Sequence, residues 1–193
     1  MQNSSVSFTS TLRPTSLVEF AREVAVIPSK NNITNWTAKQ VVKDKDAFTR
    51  GVIDCTVCGI TDGKAVVLTH ICPTKSENAD FLSIEEAITE KIDMESPDLQ
   101  GILFGSDALF NDSKKLFNKF QKFMQKNKIS YSMFRGHNDI STNTSVAYKT
   151  CKDEWIFTND FIDANINKKS AKKTILAKAF DEIRISDKDE FVI

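Results

Sequence analysis

The sequence predicts a mixed α/β fold in a single domain, with an antiparallel sheet portion and helices packed on it. Three observations carry that expectation. Two β-branched runs, residues 51–60 and 65–72, flank an Asp-Gly turn. Two further strand-like runs, 99–104 and 129–134, are separated by a stretch whose Leu116, Phe117, Phe120, Phe123 and Met124 recur at helical spacing. The 193 residues are 40% hydrophobic, enough for one domain with a real core.

The elements follow in order. Residues 1–15 are polar and rich in Ser and Thr, with Val6 and Phe8 alternating, and read as a frayed start or an edge strand. Ser16 caps a helix over about 16–26, with Glu19 completing a capping box and Leu17, Phe20, Ala21 and Val24 on one face. Pro28 ends it, and 29–35 (SKNNITN) is a turn. Residues 36–48 show no clear period; Trp36, Val41, Val42 and Phe48 are their anchors. The run 51–60 (GVIDCTVCGI) is a strand, Asp62-Gly63 centres a hairpin turn, and 65–72 (AVVLTHIC) returns beside it until Pro73. Both strands are long apolar runs, so the sheet should be covered on both faces. A helix over 83–94 is expected, with Ser83 and Glu86 as its capping box. After the strand at 99–104 comes the helix at 112–127, lysines on its outer face, then the strand at 129–134. Residues 135–143 (RGHNDISTN) form a loop, and 145–151 with 155–158 form a hairpin about Lys152-Asp153. Residues 170–180 read as helical, and the tail beyond them either extends that helix or forms a last hairpin.

Composition narrows the function. Lys plus Arg and Asp plus Glu are 26 each, a balance that argues against a nucleic-acid grip. No apolar stretch approaches the roughly 18 residues of a membrane span. The N-terminus lacks the basic and apolar regions of a secretory signal peptide. The expected location is therefore cytoplasmic, or a host cell reached by signal-peptide-independent secretion. The four cysteines, Cys55, Cys58, Cys72 and Cys151, are too few for a disulfide scaffold and read as free thiols.

Cys55 and His70 carry the chemistry. A nucleophilic cysteine needs a neighbour that lowers its thiol pKa from about 8.5. Pairing centred on Asp62-Gly63 sets Cys55 opposite His70 on one face of adjacent strands, with β-carbons about 4.5–5.5 Å apart. In that register Cys58 points to the other face, and Cys72 shares the face of His70 but pairs nearer position 53. A zinc site of Cys55, Cys58, His70 and Cys72 is the weaker alternative, because a CxxC knuckle needs a tight turn and this one lies in a β-branched run. The plainest alternative is a buried cysteine acting as a small hydrophobe. His137 reads as a solvated loop histidine, or a substrate contact if its loop borders the cleft.

Thr49 stands six residues before Cys55, His70 is followed by Pro73 in THICP, and a strand, long helix and strand lie downstream. In these features residues 49–158 resemble the chemoreceptor glutamine deamidase CheD and the catalytic domains of the cytotoxic-necrotizing-factor type toxins. The sequence departs from the family at Ile53-Asp54, where the family has small residues. It departs again in the loop at 135–143, where Gly136 is the single glycine of a segment that is glycine-rich in the family. The resemblance implies a mixed, largely antiparallel sheet or sandwich covered by helices. Residues 1–48 would be an N-terminal extension packed on the core, 49–158 the catalytic core, and 159–193 a C-terminal helical segment of the same domain. It further implies a protein-glutamine deamidase with Cys55 as nucleophile, His70 as base and acid and Thr49 as the orienting group. Such an enzyme needs no cofactor or metal, and its partner is a protein carrying a reactive glutamine. The alternatives are a non-catalytic protein-interaction domain, favoured by Asp54, and another cysteine amidase or peptidase built on the same dyad.

Overall fold

A computed structural model describes residues 11–33, 46–53, 55–73, 77–105, 111–135, 143–168 and 181–185. They form one mixed α+β domain with two five-stranded sheets and four α-helices among the described residues. The first sheet has the order β1-β9-β8-β3-β2, from β1 (Thr11–Pro14), β2 (Asn32–Ile33), β3 (Ala47–Val52), β8 (Thr144–Lys149) and β9 (Glu154–Thr158). The second has the order β10-β7-β6-β4-β5, from β4 (Thr56–Thr61), β5 (Val66–Ile71), β6 (Gln100–Gly105), β7 (Ser130–Arg135) and β10 (Asp181–Ile185). Three pairings are parallel, β1 with β9, β2 with β3 and β6 with β7; the rest are antiparallel.

Alternation along the strands explains how the sheets stack. Val57, Val66, Leu68, Ile102 and Phe104 of the second sheet share a core with Ala47, Val146, Tyr148, Trp155 and Phe157 of the first. Phe104 stacks on Phe134, ring centroids 4.4 Å apart, and both lean on Phe157. The intervening residues of the second sheet, Cys58, Ile60, Val67 and Leu103, face α2 (Glu77–Lys91) and α3 (Asn111–Lys126). On the first sheet, Phe48, Ala147 and Ile156 face Phe20 and Val24 of α1 (Leu17–Ala25). The molecule is therefore a β-sandwich with helices on both outer faces, the arrangement expected when both faces of each sheet are apolar.

Local signals account for most boundaries. The Ser16 hydroxyl accepts the Glu19 N–H at 3.1 Å and caps α1. Helix α3 buries Leu116, Phe117, Phe120, Phe123 and Met124. The β8–β9 hairpin turns at Asp153, which takes a left-handed backbone.

Four expectations are corrected. The run 51–60 is not one strand. Strand β3 ends at Val52 after a bulge, with Gly51 at φ +76°, and the chain crosses to the other sheet before β4 begins at Thr56. A continuous apolar run looks the same whether it serves one sheet or two. Helix α2 begins at Glu77, so Ser83 lies in its interior. It buries Ile84 and Ile88 and sets Phe81 against Phe120, and its first turn, residues 77–80 (ENAD), has one apolar residue to mark the start. The first hairpin is centred on Gly63-Lys64 instead of Asp62-Gly63. The tail contributes β10, an edge strand antiparallel to β7, after a short helix α4 (Asp160–Asn165). The expected helix at 170–180 and the anchors Trp36, Val41 and Val42 lie outside the described residues.

Candidate active site

The crossing between sheets positions the site. Cys55 lies six positions after Thr49; the chain leaves the first sheet at Val52 and enters the second at Thr56. Both residues lie in the interlayer and are almost wholly buried, Thr49 at 0% and Cys55 at 1% exposure. His70 on β5 is equally buried, at 1%.

Thr49 and His70 meet across the sandwich, with the Thr49 hydroxyl 2.7 Å from Nδ1 of His70. The same hydroxyl donates to the carbonyl of Ile33, also at 2.7 Å, on the neighbouring strand β2. A threonine hydroxyl has one proton. With that proton on the Ile33 carbonyl, the hydroxyl accepts from His70, so Nδ1 carries a hydrogen. The neutral ring then holds its lone pair on Nε2, an atom shielded from solvent. The same contact suits the protonated ring, since Nδ1–H donates in both states.

The hairpin sets which side chains face each other. The Asp62 carboxylate accepts the N–H groups of Lys64 at 2.8 Å and Ala65 at 2.7 Å through one oxygen, and of Asp93 at 2.9 Å through the other. Burial alone would raise this carboxyl, but the backbone donors Ala65, Asp93 and Lys64 outweigh it and hold it below the usual carboxylate range. Asp62 thus occupies the corner before the turn, and Gly63 takes φ +84° at the first central position. Positive φ at that position alone is the type II′ pattern, which favours glycine there. Relative to pairing about Asp62-Gly63, the register moves by two residues. Thr56 pairs with Ile71 and Val57 with His70. One step further, Cys55 stands opposite Cys72, and their sulfurs are 3.0 Å apart.

A shift of two preserves the face, because side chains alternate with period two. Cys55 and His70 therefore still project into the same interlayer, now as a diagonal pair instead of a directly opposed one. Diagonal neighbours lie about 7–8 Å apart along the backbone, within reach of long side chains. The expectation that Cys72 pairs nearer position 53 is corrected: the register continued one step past Thr56–Ile71 sets it opposite Cys55, in line with the sulfur contact.

Cys58 faces the helices, where burial pushes its thiol far up. It is opposed to Thr69, whose hydroxyl accepts the Cys58 N–H. Cys55 and Cys58 thus point to opposite faces, which removes the CxxC zinc set considered above. Among the described residues no group of three His, Cys, Asp or Glu side chains is placed to hold a metal. Cys151 is exposed in the 3₁₀ turn between β8 and β9. Asp54 and His137 lie outside the described residues.

One residue at the site carried no sequence signal beyond being a glycine at the end of a strand-like run. Gly105 closes β6 at φ +127°, and a β-carbon there would sit 2.3 Å from the Cys55 carbonyl oxygen and 2.9 Å from the Thr56 Cα. Only glycine lets the two backbones approach so closely, and that approach holds the residue preceding β4 in place.

The arrangement supplies a thiol, an imidazole on the same interlayer face, and a hydroxyl that fixes the imidazole. These are the parts of nucleophilic acyl chemistry through a thioester. No protein-family model matches the chain, and no curated protein matches it in sequence.

Proposed function

We propose that the chain is a cysteine hydrolase of carboxamide bonds, and more narrowly a deamidase of glutamine side chains on a partner protein. The observation that carries the broader reading is the 2.7 Å contact between Thr49 and His70, with the threonine proton committed to the Ile33 carbonyl. A histidine whose Nδ1–H is anchored by a third group presents Nε2 as a base, the logic shared by catalytic triads. The narrower reading is supported by the motif resemblance at Thr49, Cys55, His70 and Pro73. It is also supported by the parallel strand–helix–strand unit of β6, α3 and β7.

In this reaction the Cys55 thiolate attacks the carboxamide carbon of the glutamine. Backbone N–H groups near Cys55 hold the tetrahedral oxyanion, a kind of donor worth about 2.7–4 kcal/mol when removed. His70 protonates the leaving ammonia, then takes a proton from water, which attacks the thioester and releases glutamate. Thr49 is a positioning residue throughout.

A second reading, a non-catalytic interaction domain, is favoured by the 1% exposure of Cys55. The two readings part in one experiment. A protein lysate is incubated with wild type or with Cys55→Ala, and peptides are searched for carboxamide-to-carboxylate mass gains at glutamine, with released ammonia measured in parallel. Conversion by wild type alone is expected. Equal patterns with both proteins would sink the enzymatic reading.

A further inference from the structure

The catalytic reading leaves Cys72 without a task. It is half-buried where Cys55 is sealed, and the two sulfurs are 3.0 Å apart, within reach of one shared thiol proton. Neither is in a disulfide. Directly opposed residues of antiparallel strands have Cα atoms about 4.5–5.5 Å apart, inside the 4.4–6.8 Å span a disulfide bridges. Closing from 3.0 Å to a bond of about 2.05 Å asks only for small side-chain rotations. The strands are already held in register by the Asp62 turn, so little chain entropy opposes closure.

We propose that Cys55 and Cys72 form a reversible oxidation site for hydroperoxides. The more exposed Cys72 thiolate attacks one peroxide oxygen, breaks the O–O bond and becomes a sulfenic acid, releasing hydroxide that is protonated to water. The Cys55 sulfur then displaces the sulfenic oxygen as a second water, and the S–S bond forms. Two thiols and one hydrogen peroxide give one disulfide and two waters; the sulfur pair loses the two electrons that the O–O bond gains. A dithiol reductant reverses the step. The bridge ties the start of β4 to the end of β5 and removes the Cys55 thiolate. The consequence for activity rests on the reading of Cys55 as nucleophile, whereas the bridge itself does not.

The other cysteines sharpen the assignment. Cys58 faces the opposite side of the sheet, and its raised thiol disfavours the reactive anion. Cys151 sits in a different turn, on the first sheet.

The test treats folded full-length protein with hydrogen peroxide and then alkylates, digests and maps it by mass. Trypsin separates residues 51–64 from 65–75, and fragmentation of the joined peptides tells Cys55 from Cys58. The expected result is a loss of two hydrogens and a crosslink of Cys55 to Cys72 that dithiothreitol reverses. In Cys72→Ser the crosslink is absent and peroxide instead leaves Cys55 a free thiol or carries it to a sulfinic acid that dithiothreitol does not restore. Sulfinic acid in place of a crosslink in wild type, or a crosslink to Cys58 or Cys151, overturns the proposal. Glutamine conversion is read on the same samples, and activity should fall in proportion to the crosslinked fraction and return on reduction. A crosslink in a protein with no glutamine conversion in any state sinks the deamidase reading and leaves the oxidation site standing. Full conversion by the crosslinked protein overturns its control of activity.

Discussion

Replacing Thr49 with valine removes one hydroxyl and keeps the β-branched shape. Two contacts disappear, the donation to the Ile33 carbonyl and the acceptance from His70, both 2.7 Å and both inside the sandwich. Each neutral hydrogen bond contributes about 1 kcal/mol net, and the stranded partners cost more, so the expected loss is about 2–4 kcal/mol. A domain of this size is stable by about 5–15 kcal/mol, so the variant should still fold. Its thermal midpoint should fall by roughly 5–15 °C, at about 2–4 °C per kcal/mol. The catalytic effect differs in kind. Without Thr49 the ring loses the acceptor that fixes its Nδ1–H, and general base help worth about 10²–10⁴ is compromised. A drop of about 10²-fold in kcat is expected, since the lost acceptor is neutral and holds less tightly than a carboxylate. Thr49→Ser keeps the hydroxyl and should recover most of both losses. The discriminating readout is iodoacetamide alkylation of Cys55 across pH. Thr49 fixes the ring orientation in which His70 can assist the thiol, so Thr49→Val should slow the alkylation of Cys55 and change its pH profile. A variant that loses stability but keeps both its alkylation profile and its kcat would show Thr49 to be packing alone.

Two further substitutions test the scaffold. Gly105→Ala forces a β-carbon to 2.3 Å from the Cys55 carbonyl at φ +127°, and backbone on both sides gives it no soft neighbour. Overpacking with backbone strain should cost about 2–5 kcal/mol in urea unfolding and change the Cys55 alkylation rate; an unchanged midpoint would falsify the close approach. Asp62→Asn sets an amide N–H against one of three backbone donors and removes the charge that strengthens the others, for about 1.5–3 kcal/mol at neutral pH. Because the folded carboxyl titrates below its unfolded value, this advantage is fully present above about pH 4 and is lost as pH falls through the lower folded value. Wild type and variant should therefore converge in stability at acid pH, and a gap that persists unchanged there would refute the charge's role.

Much was legible in the sequence because local physics decides it. The β-branched runs, the Phe-rich face of α3, the Ser16 cap and the Asp-Gly corner each act over a few residues, and each appears in the fold. The sharing of one face by Cys55 and His70 also follows from strand alternation alone, and a register error of two leaves it intact. What only the tertiary structure decided is which sheet each strand joins and who stands opposite whom. The run 51–60 carries no local mark, apart from Gly51, that it divides between two sheets. That division puts Thr49 across the interlayer from His70, where it can reach Nδ1. Edge strands β1 and β10 find their partners in segments far along the chain, so their own residues do not specify the pairing. The partner of Cys55 turned on whether Asp62 or Gly63 opens the central turn. Three backbone N–H groups, one of them from the chain after α2, settled that in favour of Gly63. Local chemistry chose the residue types, and long-range packing chose their neighbours, because contacts between distant segments depend on how whole sheets stack.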